Sequence, residues 1–173
     1  MHMFAHNGWL PDIHRSLQLG LGHYCPVGET DSEHAFCALL ERMLKVWRTG
    51  NAIPPLEHRL SVVVEFAAEL RTLGPANFLY SDGDTLFAHG DRRKQQPSGK
   101  AIPPGLVFLE RHCGRNGIGF DASGVTVVND DQFITLTASI PLTDDPWQAL
   151  SQGEVIAVRN GQVTARHSGL PEI

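Results

Sequence analysis

Two helical stripes stand side by side in this chain, and mostly strand-like segments follow them. In "ETDSEHAFCALLERMLKVW", Phe36, Leu39, Leu40, Met43, Leu44 and Trp47 recur at the three-and-four spacing of one helical face. Thr30 with Glu33 reads as a capping box, which predicts a helix beginning at about Thr30. After a break at Gly50 and Pro54-Pro55, a second stripe of Leu56, Leu60, Val63, Val64, Ala67 and Leu70 runs to Gly74-Pro75. "ANFLYSDGDTLFAHG" then predicts a hairpin turning at Asp82-Gly83. "LVFLER", "VTVV" and "FITLTAS" read as strands, and "EVIAVRN" with "QVTAR" as a further hairpin at Asn160-Gly161. There is no strand-helix-strand alternation. Helices covering one face of antiparallel sheet, an α+β layered fold, is the arrangement that fits.

The connecting segments carry weaker signals. Pro11 to Gly28 reads as a loop with the apolar segment "SLQLGLG" inside it, and "DDPWQAL" as a short helical turn starting at Pro146. "GRNGIGF" lacks the spacing and the following helix of a phosphate-binding loop, so it reads as a turn. Asp91 to Pro104, with its run Arg92-Arg93-Lys94, reads as an exposed, solvated connector.

Composition narrows the function classes. With 42% hydrophobic residues among 173, the chain suits a single domain over residues 1–173. A net charge of -5 gives no drive toward a phosphate backbone, which argues against a nucleic-acid partner. No apolar run is long enough for a membrane helix, and "MHMFAHNG" lacks the pattern of a secretion signal, so the expectation is a soluble cytoplasmic protein without a membrane partner. Cys25, Cys37 and Cys113 are odd in number and read as reduced thiols. Neither they nor the nine histidines show a metal-ligand spacing, and no cofactor motif is present.

Two short clusters carry chemistry. "FAHNGWL" reads as a strand end running into an Asn-Gly turn, which could offer an oxyanion two donors, the Asn7 amide and the Gly8 backbone N–H. "ETDSE" opens the first helix. There the capping box accounts for Thr30 and Glu33, while Asp31 is a carboxylate that the helix N-terminus favours in any case.

Together, His-Asn-Gly at 6–8 and Thr-Asp-Ser-Glu at 30–33 resemble the glutaminase domain of class II glutamine amidotransferases, the N-terminal-nucleophile family. "LTASIPLTDDPWQALSQGEVIAVRNGQV" is similar to the ending of its small stand-alone bacterial members. The resemblance implies an αββα sandwich of the N-terminal-nucleophile hydrolase type, a substrate that is glutamine or a γ-glutamyl small molecule, and no cofactor. It implies Asn7 and Gly8 as the catalytic oxyanion donors and Asp31 as the ligand of the substrate ammonium.

The family nucleophile is an N-terminal cysteine, and this sequence starts Met1-His2-Met3. The expectation is therefore an N-terminally truncated, partial domain, inactive alone, whose exposed sheet edges call for an N-terminal fragment or a second copy as partner. The alternatives are a non-catalytic ligand-binding or interaction module on the same scaffold, and a hydrolase using Cys25 with His23 beside it.

Overall fold

The structure is a computed structural model that describes residues 1–16, 19–47, 52–114, 120–122, 125–127 and 131–169. Its helices are α1 (Asp31–Val46) and α2 (Leu56–Leu73), with a 3-10 turn at Ile13–Arg15. The strands are β1 (Met3–Gly8), β2 (Ala76–Ser81), β3 (Leu86–His89), β4 (Arg93–Lys94), β5 (Ala101–Ile102), β6 (Val107–Cys113), β7 (Phe120–Ala122), β8 (Val125–Val127), β9 (Gln132–Ala138), β10 (Gln148–Ala149), β11 (Val155–Arg159) and β12 (Gln162–His167). Neither helix is long and apolar enough to cross a membrane.

Five strands form an antiparallel sheet in the order β1-β2-β3-β11-β12, and three form a second in the order β10-β6-β9. Alternation along each strand divides the core between two faces. Phe87 of β3 and Val155 and Ala157 of β11 join Leu39, Phe66 and Leu70 of the helices. Their neighbours Ala88, Ile156 and Val158 face the other way, onto Phe108 of β6 and Leu150. The described residues thus make three layers, helix, sheet and sheet, with both helices on the larger sheet.

The expected helix start is found, with one change. The Thr30 hydroxyl accepts the Glu33 N–H at 3.2 Å, but the Glu33 carboxylate does not return to Thr30. It accepts the Val27 and Gly28 N–H groups at 2.7 and 2.8 Å and so ties down the preceding loop.

Both predicted hairpins are present, at turns whose Gly83, Asn160 and Gly161 hold φ of 92°, 50° and 74°. The β2–β3 turn is clamped from α2. Arg59, 1% exposed, donates to Asp82 at 2.6 Å, to Asp84 at 2.9 Å and to the Thr85 hydroxyl at 3.2 Å.

Three expectations are corrected. "HNG" is not a turn: β1 runs through Gly8 and pairs with β2, with Asn7 opposite Asn77 and Gly8 opposite Ala76. "DDPWQAL" is not helical, because Gln148 and Ala149 pair with Phe108 and Val107 of β6, so strand pairing overrides the local proline signal. The 91–104 segment is more than a connector, since it folds back as the β4–β5 pair against the site described next. The turn expected in "GRNGIGF" falls mainly on 115–119, outside the described residues.

Candidate active site

β1 is an edge strand, and its register decides which backbone groups are free. In an antiparallel pair, hydrogen-bonded and non-hydrogen-bonded residue pairs alternate. The Trp9 N–H donates to the Pro75 carbonyl at 3.2 Å, so the next pair, Gly8 with Ala76, is a non-hydrogen-bonded one. Ala76 agrees, since its N–H turns away from β1 to the Asp91 carboxylate at 3.2 Å. The Gly8 N–H therefore points away from β2, at an edge that no other strand covers among the described residues.

Glycine is required there for want of space. A Cβ would overlap the Pro75 carbonyl oxygen and come within 2.6 Å of His6 Nε2.

The Asn7 side chain stands on the sheet face opposite His6 and donates to the Ser139 hydroxyl at 2.9 Å. Its second amide hydrogen remains for another acceptor. Behind it, buried Asn77 holds the strand in place: its Nδ2 donates to the Asn7 and Arg92 carbonyls at 3.1 and 2.9 Å, and its Oδ1 accepts the Asp91 N–H at 2.8 Å. Asp91, fully buried, also accepts from Gln152 at 3.1 Å and lies 3.4 Å from Arg71 Nε.

Asp31, the first residue of α1, is half-buried. Its Oδ2 accepts the Leu10 N–H at 2.8 Å, and its Oδ1 accepts the Ser32 N–H at 2.7 Å and the Ser32 hydroxyl at 3.2 Å. A carboxylate has about four acceptor positions, so these three donors leave room for one more.

The same Ser32 hydroxyl lies 3.0 Å from His6 Nδ1. The Ser32 hydroxyl thus links the His6 ring to Asp31, and His6 Nε2 is buried on the side of the Pro75 carbonyl. Burial pushes the His6 pKa below its ordinary value, against the opposing pull of the Asp31 charge. Burial also holds His89, whose Nδ1 lies 3.2 Å from the Glu154 carbonyl, down at about 3.

Asn7 and Gly8 open on a cavity of about 490 Å³, bordered also by Trp9, Arg92, Arg93 and Lys94. Asp31 opens on a neighbouring one of about 630 Å³, and Trp9 borders both. None of the cysteines lines either cavity. Cys25 is exposed, in a loop whose Tyr24 N–H is held by Glu41 at 2.6 Å, while Cys37 and Cys113 are buried. Among the described residues no three His, Cys, Asp or Glu side chains converge to hold a metal ion.

Comparison with known proteins decides the family. The family model of class II glutamine amidotransferases matches residues 1–170. The chain belongs to the class II glutamine amidotransferases. Among relatives of this amidotransferase, an uncharacterized protein of Methanocaldococcus jannaschii is 31% identical over 98% of the chain and 45% of its own length. The Escherichia coli protein YafJ, provisionally named a glutamine amidotransferase, is 35% identical over 87% of the chain and 55% of its own length.

The chain thus spans about half the length of the curated relatives it matches. A crystal structure of a predicted glutamine amidotransferase from Pseudomonas aeruginosa superposes with a TM-score of 0.70 at 34% identity, covering 95% of this chain and 60% of that one. A class-II domain protein from Silicibacter pomeroyi, at 18% identity and a TM-score of 0.56, shares the fold.

The amidotransferase motifs single out Asn7, Gly8 and Asp31 as candidates, and the sequence does not single out Ser32, Asn77 and Ser139, which the fold brings into hydrogen-bond contact with Asn7 or Asp31. Ser32 sits inside the motif and carried a signal. Asn77 and Ser139 lie 70 and 132 residues from Asn7, and only the folded sheets bring them to it.

Proposed function

We propose that these residues form the oxyanion and ammonium side of a site that hydrolyses the side-chain amide of glutamine or a γ-glutamyl compound, on the αββα scaffold of N-terminal-nucleophile hydrolases. The observation that carries this reading is the pairing of Asn7 and Gly8. Asn7, with one amide hydrogen not used by Ser139, and Gly8, with its N–H turned away from β2, line the same cavity in a chain of this family. Donors aimed where negative charge develops contribute about 2.7–4 kcal/mol each to the transition state.

The chemistry is thiol acylation. A general base takes the thiol proton, the thiolate attacks the amide carbon, the carbonyl oxygen becomes the oxyanion, and the C–N bond breaks as that base returns the proton to the leaving amine. Water then hydrolyses the thioester to a carboxylate and regenerates the thiol. Asp31 accepts the substrate ammonium with its remaining acceptor position.

Cys37 and Cys113 are buried, and Cys25 is absent from the cavity wall, so the attacking thiol belongs to sequence outside these residues, supplied in the same polypeptide or by a partner chain. The unfilled edge of β1, next to Gly8, is where such a segment would pair.

The test is ammonia release from glutamine by the native protein together with trapping of a γ-glutamyl thioester. Asp31→Asn is expected to raise KM more than it lowers kcat. If neither ammonia nor thioester forms, the reading fails. The placement of the three cysteines favours a second reading, a non-catalytic ligand-binding module, which predicts glutamine binding lost in Asp31→Asn without any turnover.

A further inference from the structure

The cavity that holds the oxyanion donors has a cationic wall with no part in that chemistry. Arg92, Arg93 and Lys94 line it, and none of the described residues lining it is acidic, in a chain whose net charge is -5. Arg92 is accounted for: its Nε lies 3.9 Å from buried Asp91, and its guanidinium donates to the Arg71 carbonyl at 3.4 Å.

Arg93 and Lys94 differ from it. Among the described residues neither meets a carboxylate. Arg93 makes one hydrogen bond, to the Lys94 carbonyl at 3.3 Å, and its Nε is buried without an acceptor. Two cations without a carboxylate partner, on a cavity wall with no acid among the described residues, leave positive charge for an anion from outside the chain. Arginine with lysine offers a fork and a point charge, which together suit a carboxylate or phosphate.

Position assigns this group to one side of the scissile bond. Asp31, which takes the substrate ammonium, opens on the neighbouring cavity across Trp9. The glutamyl chain therefore runs from Asn7 and Gly8 toward Asp31, and the Arg93–Lys94 side is left for the amine beyond the amide nitrogen. We infer that Arg93 and Lys94 bind an anionic group on the leaving amine, so that the preferred substrate is a γ-glutamyl amide of an acidic amine and not free glutamine. This rests on the amide-hydrolysis reading. The reaction is otherwise the same: the amide C–N bond breaks, the glutamyl carbon passes to the thiol and then to water, and the amine departs protonated with its acid held on the wall.

Three probes test it on the native protein: γ-glutamylglutamate, γ-glutamylphosphoethanolamine and neutral γ-glutamylethylamide. At least one acidic amide is expected to exceed the ethylamide in kcat/KM by about tenfold or more, and which one identifies the anion as carboxylate or phosphate. In the Arg93→Gln/Lys94→Gln double variant that ratio is expected to fall toward one.

Equal or better hydrolysis of the ethylamide overturns the inference, as does a preference that survives the double variant. Should none of the three be hydrolysed, the amide-hydrolysis reading fails, and calorimetric binding of the same probes still decides the wall. Tighter binding of an acidic probe, lost in the double variant, upholds it, and equal binding overturns it.

Discussion

The two ends of the five-stranded sheet both carry arginine, and they use it in opposite ways. At the β2–β3 turn, Arg59 is buried with every nearby acid engaged: it holds Asp82 and Asp84, and Asp84 is held again by Arg159 at 2.7 Å. At the other end, beyond Gly8 and His89, Arg93 and Lys94 line a cavity and meet no carboxylate among the described residues. Charge neutralised within the chain fastens a turn to a helix. Charge left over beside two outward-facing hydrogen-bond donors is available to a ligand.

The sharpest way to break this contrast is Arg59→Met, which strands Asp82 in the interior. Removing one partner of a buried pair costs about 3–5 kcal/mol, so the urea midpoint should fall steeply while the folded fraction keeps its ligand affinity. A small shift would mean that the clamp is no clamp. At the other end Asn7→Ala should do the reverse. With amide hydrolysis as the assay, kcat should drop by about 100- to 1,000-fold at nearly unchanged melting temperature, because Asn7 is exposed and its loss opens no core.

Acid sharpens the contrast further. Below pH 6.5 the unfolded chain binds a proton that the His89 imidazole refuses until about pH 3, so stability rises with pH across that window and is lost on acidification. Between pH 7 and pH 5 the loss should be about 2 kcal/mol, with His6 adding in the same direction, and denaturation curves at the two values measure it. The smallest effect belongs to Arg93→Gln/Lys94→Gln, whose folding free energy should stay within about 0.5 kcal/mol of the parent. A larger loss would make that wall structural, as the Arg59 end is.

What could be read from sequence follows from how far each signal travels along the chain. The helices were legible because a stripe such as Phe36 to Trp47 is local, and the Asp82-Gly83 and Asn160-Gly161 turns because residues that accept positive φ advertise themselves. Asn7-Gly8 carries the same turn signature and forms none, since its partner strand lies 70 residues away and pairing leaves no local trace. The β10 strand was missed for the same reason, its partner β6 lying far back in the chain, whereas β4 and β5 pair locally and were hidden by a polar, proline-bearing sequence without strand character. Among candidate site residues, the family motifs point to Asn7, Gly8 and Asp31. Their supports Asn77 and Ser139 are an ordinary asparagine in a strand and an ordinary serine after one, until the sheets stack.

Trp9 lies between the two cavities with 70% of its surface exposed. The other two indoles are more sheltered, Trp47 with a buried ring nitrogen and Trp147 donating to the Thr143 hydroxyl at 3.1 Å. One fluorophore of three should therefore emit at the red edge and yield first to a neutral quencher such as acrylamide. The site carries its own optical reporter, and a molecule entering from either side would shade it, registering occupancy without a label and without turnover.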